Sequence, residues 1–123
     1  MRGKVDLAEK FASFTEHWTP KIVGEMNGQF VKLAKLKGEF VWHRHQDEDE
    51  MFLVTKGRLK IRLRDRDDVE LGPGEFFVVP KGVEHSPIAD DEVHVVLLEP
   101  KSTAHTGNTD SEMTVPTEHQ EWI

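Results

Sequence analysis

Residues 38–57, GEFVWHRHQDEDEMFLVTKG, constrain this chain more than any other stretch. Within it, His43 and His45 are separated by a single residue, and an acidic run that ends at Glu50 follows them. In an extended strand alternate side chains point to one face, so both imidazoles are expected on the same side. Two neutral imidazoles so placed can bind a metal ion together, and a carboxylate returning on that side would add an oxygen ligand. The histidine of PKGVEHSP, His85, could complete the set.

The pattern from residue 21 to about residue 100 predicts a series of short β-strands. IVGEM and QFVKLAKLK flank Asn27-Gly28, a pair that favours a type I′ hairpin turn because both positions need positive φ. GEFVWHRH, EMFLVTKGRLKIRLRD, VELGPGEFFVVPKGVEHSP and EVHVVLLEP supply further strands, with a turn expected at residues 65–68. Many short strands between Gly and Pro turns predict an all-β barrel or sandwich. We therefore expect one domain, residues 1–123, with its barrel core at about residues 21–100.

The two ends of the chain are expected to lie outside the barrel core. The N-terminal segment, residues 5–18, spaces its apolar side chains by four, three and four positions: Leu7, Phe11, Phe14 and Trp18. This spacing indicates a short amphipathic helix, and a strand with an aromatic face is an equal alternative. In either case the aromatic side chains should cover the body of the domain, and Pro20 should end the segment. Residues 101–123 are polar and are expected to form a surface tail.

The spacing of these residues resembles the two motifs of the cupin family. The first, G(X)5HXH(X)3,4E(X)6G, is matched at Gly38, His43, His45, Glu50 and Gly57, with the first glycine one residue closer to the histidines than is usual. The second, G(X)5PXG(X)2H(X)3N, is matched at Gly74, Pro80, Gly82 and His85. Ala89 replaces the closing Asn, which is not a metal ligand in the family.

The resemblance is to the small single-domain cupins, sometimes described as mannose-6-phosphate-isomerase-like or RmlC-like. It implies a double-stranded β-helix (a jelly roll, or cupin barrel) that holds a divalent transition metal: Mn, Fe, Ni, Zn or Cu. The metal ligands would be His43, His45, Glu50 and His85. Three neutral imidazoles and one carboxylate would leave open positions on an octahedral ion for substrate or water. The chain has no cysteine, so a closed thiolate zinc site is not favoured.

The remaining polar residues near these motifs have simpler expected roles. Glu50 begins an alternating strand with Phe52 and Val54 and should share the barrel interior with them. The acidic residues before it are expected in a solvated turn: Asp47, Glu48 and Asp49. His94 lies on a predicted strand and could face either the pocket or solvent. Three histidines without partners at ligand spacing are expected on the surface: His17, His105 and His119.

The sequence supports more than one function. The first hypothesis is a metal-dependent enzyme, such as an isomerase or oxygenase, that acts on a small polar metabolite such as a sugar or organic acid. The alternative is a non-catalytic module in which the barrel binds a metabolite or metal. A barrel kept only for its fold is disfavoured by the complete ligand set. No catalytic residue beyond the ligands can be named.

Charge and hydropathy exclude other classes of partner. The net charge of -7 and the scattered Lys and Arg residues argue against nucleic acid. No apolar run approaches the roughly 20 residues that span a bilayer, and no signal peptide is visible, so a cytoplasmic location is expected.

The strand that carries the two histidines also predicts a homodimer. If the histidines face inward, alternation places Phe40, Trp42 and Arg44 outward. An outward pair of large aromatics would leave an apolar patch that a second subunit can cover. The alternative is that the N-terminal aromatics cover this face within one chain.

Overall fold

The computed structural model describes residues 1–104, 106–107 and 120–123. These residues form one short helix and seven strands: α1 (Leu7–Ala12), β1 (Lys21–Met26), β2 (Gln29–Glu39), β3 (Glu50–Lys56), β4 (Leu59–Leu63), β5 (Val69–Leu71), β6 (Phe76–Val79) and β7 (His85–Pro100). The predicted all-β jelly roll is confirmed. At six residues, α1 is far too short to cross a bilayer, and the rest of the described chain contributes no spanning helix either.

The long strand β7 pairs with three other strands of the barrel wall: β2, β3 and β4. Its C-terminal part runs antiparallel between β2 and β3, in a sheet of order β1-β2-β7-β3-β6. Its first four residues pair with β4, which in turn pairs with β5. One strand therefore passes from one part of the wall into the other, and it delivers His85 at its N-terminal end.

Two local predictions are confirmed where the sequence signal is strongest. Asn27 and Gly28 have φ values of 51° and 76° and join β1 to β2, as a type I′ turn requires. In β4 the apolar residues Leu59, Ile61 and Leu63 are buried, while the basic residues between them are exposed or half-buried. The period-two pattern therefore identified both the hairpin and a strand with one buried face.

The apolar side chains form two layers. The inner layer fills the barrel and includes Val54, Val93 and Val95, none of which is exposed to solvent. The second layer lies on the outer face of the sheet, where Phe11 and Phe14 cover Leu33 and Val96, among others.

The N-terminal segment resolves into a helix followed by an extended stretch. Asp6 caps α1 by accepting a hydrogen bond from the backbone N–H of Glu9 at 3.1 Å. After Ala12 the chain is no longer helical, and His17 forms a β-bridge with Lys35 of β2. The helical alternative is therefore correct for Leu7–Ala12 only.

The predicted strand through His43 is wrong beyond Glu39, because residues 40–49 form no regular strand. The backbone N–H of Phe40 donates to Pro87 O at 2.9 Å, and that of His43 donates to His85 O at 2.9 Å. Between these two contacts Val41 and Trp42 on one side oppose the single residue Ser86 on the other, which is a β-bulge. The extra residue shifts the inward–outward alternation of the side chains by one position, so a residue before the bulge points the opposite way from the prediction.

The bulge overturns the expected outward position of Phe40. This side chain is 3% exposed, and its ring stacks on that of Trp18 with centroids 4.5 Å apart. Trp42 is half-buried beneath two guanidinium groups, with Arg62 at 5.2 Å and Arg64 at 4.2 Å from its ring centroid. The apolar patch proposed as a dimer contact is therefore absent from this part of the structure, and the homodimer stays a prediction without that argument.

The described parts of the C-terminal tail are less exposed than expected. Thr103 and Thr106 are fully buried. Ile22 of β1 donates its backbone N–H to Glu121 O at 2.8 Å and accepts one from Ile123 at 3.1 Å, so the chain end adds a bridge beside β1. His105 and His119 lie outside the described residues.

Candidate metal centre

The fold brings the four predicted ligand residues together inside the barrel. His43, His45, Glu50 and His85 are each at most 3% exposed, and one possible ligand atom from each lies within 4.8 Å of the others. Oε1 of Glu50 is 3.3 Å from Nε2 of His45 and 3.6 Å from Nε2 of His85. The set is the one that the motif spacing indicates.

Backbone pairing between the two motifs places the three histidines. His43 and His85 exchange both backbone hydrogen bonds, at 2.9 and 2.8 Å, and partners in such a pair project to the same face. Their ring centroids are 4.3 Å apart. His45 is held next to them because its carbonyl accepts the backbone N–H of Gly82 at 2.8 Å. Glu50, the first residue of β3, faces inward in the same register as Phe52.

Hydrogen bonds to backbone carbonyls fix the tautomers of two of the imidazoles. Nδ1 of His43 lies 2.9 Å from Val41 O, and Nδ1 of His85 lies 2.9 Å from Val83 O. A carbonyl can only accept, so both Nδ1 atoms carry a proton, and in the neutral ring Nε2 is then the nitrogen with the lone pair.

These lone pairs have no hydrogen-bond donor among the described residues, although both Nε2 atoms are buried. Neither ring nitrogen of His45 has a hydrogen-bond partner among these residues, and Oε1 of Glu50 has none either. Buried acceptors without partners are costly and uncommon in native proteins. A divalent cation bound among them would satisfy one nitrogen of each histidine and Oε1 of Glu50 together, so the residues present fit a metal ion.

The electrostatics of His43 and Glu50 suit a cation. Burial and the neighbouring His85 lower the pKa of His43 to about 4, which keeps this imidazole neutral at neutral pH. Burial alone would raise the pKa of Glu50, but its polar contacts with Glu99, His45 and His85 outweigh burial and hold the pKa well below its usual range. Neutral imidazole and ionised carboxylate are the protonation states in which these groups bind metals.

A buried ion pair beside the site was not identified from the sequence. Nζ of Lys32 lies 2.8 Å from Oε1 of Glu99, and both side chains are fully buried. Burial and the negative charge of Glu50 raise the pKa of Glu99 well above its usual value, against the effect of Lys32. The sequence did contain one indication of its position. Alternation along the strand places Glu99 on the same face as Leu97, which points into the inner layer.

The acidic turn before Glu50 stays outside the ligand group. Asp47 and Asp49 are exposed, and Oδ1 of Asp49 accepts the backbone N–H of Lys81 at 2.9 Å. Glu48 is half-buried, so its side chain is less solvated than expected.

His94 faces the outer layer of the sheet, away from the barrel interior. Its ring stacks on Phe11 with centroids 4.5 Å apart, and Nε2 lies 3.0 Å from Oε1 of Glu92. His17 approaches the other oxygen of the same carboxylate at 2.7 Å and is exposed, as predicted. These two histidines therefore belong to a surface cluster that is separate from the candidate metal centre.

A cavity opens beside the candidate ligands. It occupies about 340 Å³, including its open mouth. Its wall contains His43 and Glu50, and apolar side chains supply the rest: Trp18, Pro20, Ala34, Leu36, Phe40, Phe52, Pro87 and Leu97. A small molecule in this space would contact both the candidate metal ligands and the aromatic wall.

Comparison with known proteins agrees with this fold. The cupin domain family model (Cupin_2) matches residues 29–101. An uncharacterized protein of Bacillus subtilis (strain 168), YdbB, is 35% identical over 80 residues, which cover 65% of each chain, just under two thirds of that relative's length. A cupin-2 domain containing protein from Shewanella frigidimarina NCIMB 400 has 46% identity and a TM-score of 0.76, over 78% of this chain and 93% of that one. Protein NMB1881 from Neisseria meningitidis has 30% identity and a TM-score of 0.74, over 80% and 99% of the two chains. The family match covers more than half of the sequence, and the chain therefore belongs to the cupin domain family.

Proposed function

We propose that this cupin is a metal-dependent enzyme that binds one divalent transition metal and acts on a small molecule in the adjoining cavity. The ligands would be His43, His45, Glu50 and His85. The observation that carries the proposal is the convergence of buried nitrogen and oxygen acceptors that have no hydrogen-bond donor in the described structure. Their mutual distances, within 4.8 Å, suit a single ion.

The donor set narrows the metal by chemical type. Three imidazoles and one carboxylate suit Mn, Fe, Ni, Zn or Cu, whereas thiolate chemistry is unavailable to a chain without cysteine. When bound, such an ion would act as a Lewis acid toward substrate oxygens or activate water or dioxygen.

The protein itself would orient the metal ligands and exclude water from the site. The carbonyls of Val41 and Val83 hold two imidazoles in one tautomer and one direction. The ring of Phe40 meets His43 edge-on, with centroids 5.4 Å apart, and Phe52 meets His85 in the same manner at 6.3 Å. These aromatic neighbours exclude water from the inner side of the site and so strengthen the electrostatic interactions of the ligands.

A non-catalytic binding module is the second candidate, and one observation favours it. Among the described residues that line the cavity, only His43 and Glu50 are ionisable, and both are assigned to the metal. A general acid or base would then have to be supplied by the substrate or by metal-bound water.

Turnover separates the two candidates. The protein is loaded in turn with each of the five metals and given a panel of sugars, organic acids and ring alcohols. Conversion of any of them with one metal, and its loss in His43→Ala/His45→Ala, supports the enzyme. Metal-dependent binding with no conversion supports the module. A cytoplasmic location, small-molecule partners and a homodimer complete the proposal, and light scattering tests the last of these against a monomer of 14.1 kDa.

A further inference from the structure

We propose that the cavity selects a small, mostly apolar ring molecule with a single oxygen donor, and that Trp18 is a specificity-determining residue for it. The inference rests on the proposed function for the role of that oxygen, which would point at the metal. The proposed ligand is mostly apolar, whereas the sugar or organic acid expected from the sequence is polar.

The composition of the cavity wall carries the first step. Eight of the ten lining side chains are apolar, and the two polar ones are candidate metal ligands. A sugar would place several hydroxyl groups against Leu36, Phe52 and Leu97, where they would lose their hydrogen bonds to water without replacement. A molecule with one oxygen and a hydrocarbon body would lose none beyond the oxygen that meets the metal.

The conformation of Trp18 carries the second step. Its φ of 56° lies in the left-handed region, which a bulky residue rarely adopts. Two hydrogen bonds hold it there: the backbone N–H donates to Lys35 O at 2.9 Å, and Nε1–H donates to Lys37 O at 2.8 Å. Such strain persists where the surrounding structure enforces it, and it concentrates at functional sites.

The hydrogen bond from Nε1 also determines what Trp18 offers a ligand. With its only polar group bonded to Lys37 O, the indole presents hydrocarbon to the cavity. It stacks on Phe40 with an interplanar angle of 18°, and the two rings form one aromatic wall next to His43. Aromatic walls of this kind contribute large contact areas to ring-shaped ligands.

Trp18 lies outside the part of the chain that the family model matches. The family match begins at residue 29, whereas Trp18 and Pro20 lie before it and still line the cavity. The N-terminal segment therefore adds a wall to the barrel. The space of about 340 Å³ includes the open mouth, so the enclosed part is smaller and the ligand must be small.

Three six-membered ring probes test the polarity of the cavity: phenol, cyclohexanol and inositol. Each carries at least one hydroxyl oxygen, and they differ in how polar the ring body is. Protein-observed NMR titration gives the affinities for metal-loaded protein whose metal content has been measured on the same sample. Phenol and cyclohexanol should bind about tenfold or more tightly than inositol, because their hydrocarbon surface is removed from water.

Trp18→Ala tests the assigned residue, and Trp42→Ala is the matched control because Trp42 packs outside the cavity against Arg62 and Arg64. The first change should weaken phenol binding by about fivefold or more, and the second should leave it within about twofold. If Trp18→Ala does not fold, Trp18→Phe is used, and it should keep the preference for phenol over inositol.

Inositol binding as tight as phenol binding overturns the inference, as does unchanged phenol affinity in a folded Trp18→Ala protein or the absence of binding by all three probes. Failure of the proposed function has a different signature, which is wild-type protein that takes up no metal. The same titrations on that metal-free protein still decide the polarity of the cavity.

Discussion

Nζ of Lys32 lies 2.8 Å from Oε1 of Glu99 in the barrel interior, and neither side chain has any exposed surface. Burying the Lys32 cation is expensive, and the buried carboxyl groups of Glu99 and Glu50 offset that cost only while they are present. The pair borders the candidate metal centre, since Glu99 contacts Glu50, and burial and the negative charge of Glu50 raise the pKa of Glu99 well above its usual value. The charge of Lys32 is therefore part of the electrostatic environment in which a cation would bind.

Lys32→Met should lower the free energy of unfolding by about 3–5 kcal/mol, because it leaves the buried, mutually contacting carboxyl groups of Glu99 and Glu50 without their cation. Denaturant unfolding measures the loss. The double variant Lys32→Met/Glu99→Met removes both partners and should be more stable than the single variant. A single variant as stable as the wild type would contradict the account of this pair.

Glu50 and Glu48 should contribute very differently to metal affinity. Glu50 is 3% exposed and lies within reach of two imidazoles, whereas Glu48 is half-buried and lies outside the ligand group. Glu50→Gln removes an anionic ligand and should weaken metal binding by about tenfold or more, while Glu48→Gln should change it by less than about threefold. Competition with a chelator of known affinity measures both. A larger loss at Glu48 would show that the carboxylate ligand is misassigned.

Gly57 and Gly74 have the same backbone conformation and different surroundings. Both have a φ of about 85°, where an L-residue costs roughly 1–2 kcal/mol. A Cβ at Gly57 would also lie 2.9 Å from the backbone oxygen of Glu92, whereas one at Gly74 would meet open space. Gly57→Ala should therefore reduce the melting temperature more than Gly74→Ala. Equal reductions would mean that the close approach to Glu92 adds no cost.

The surface cluster of His17, Glu92 and His94 should make a small contribution to stability that depends on pH. Hydrogen bonds from His17 and then His94 lower the pKa of Glu92 from 4.5 to about 2. A carboxyl whose pKa falls on folding stabilises the protein above its unfolded pKa, and that contribution is lost as pH falls through the folded pKa. Relative to Glu92→Gln, the wild type should be more stable at pH 6 by less than about 1 kcal/mol, since the carboxylate is solvent-exposed. The difference should vanish near pH 2, and a difference that grows with acid would contradict this assignment.

The features that the sequence predicted correctly are local ones. The turn at Asn27 and Gly28 depends on the φ preferences of two adjacent residues, and the clustering of the candidate ligands follows from motif spacing. The predicted outward position of Phe40 was wrong because the bulge depends on pairing with Pro87, a residue far along the chain. Alternation within one segment carries no information about an inserted residue opposite a distant partner.

The Lys32–Glu99 pair was not predicted from the sequence for a related reason. Strand β2 is buried on both faces, by the barrel interior on one side and by the outer layer with Phe11 on the other. The sequence QFVKLAKLK then has apolar residues on both parities, and a lysine at an inward position looks like one at the surface.

The central claim is that one divalent metal binds to each chain through the two motifs. Elemental analysis of protein purified without a metal-chelating resin tests it directly, with His43→Ala/His45→Ala as the comparison. The wild type should carry about one equivalent of a transition metal. The double variant should carry none while its circular dichroism still shows a folded β-barrel, because the backbone hydrogen bonds by which residues 43 and 45 join the two motifs do not depend on their side chains. Full metal content in the double variant, or a wild type without metal after incubation with each candidate ion, would contradict the account.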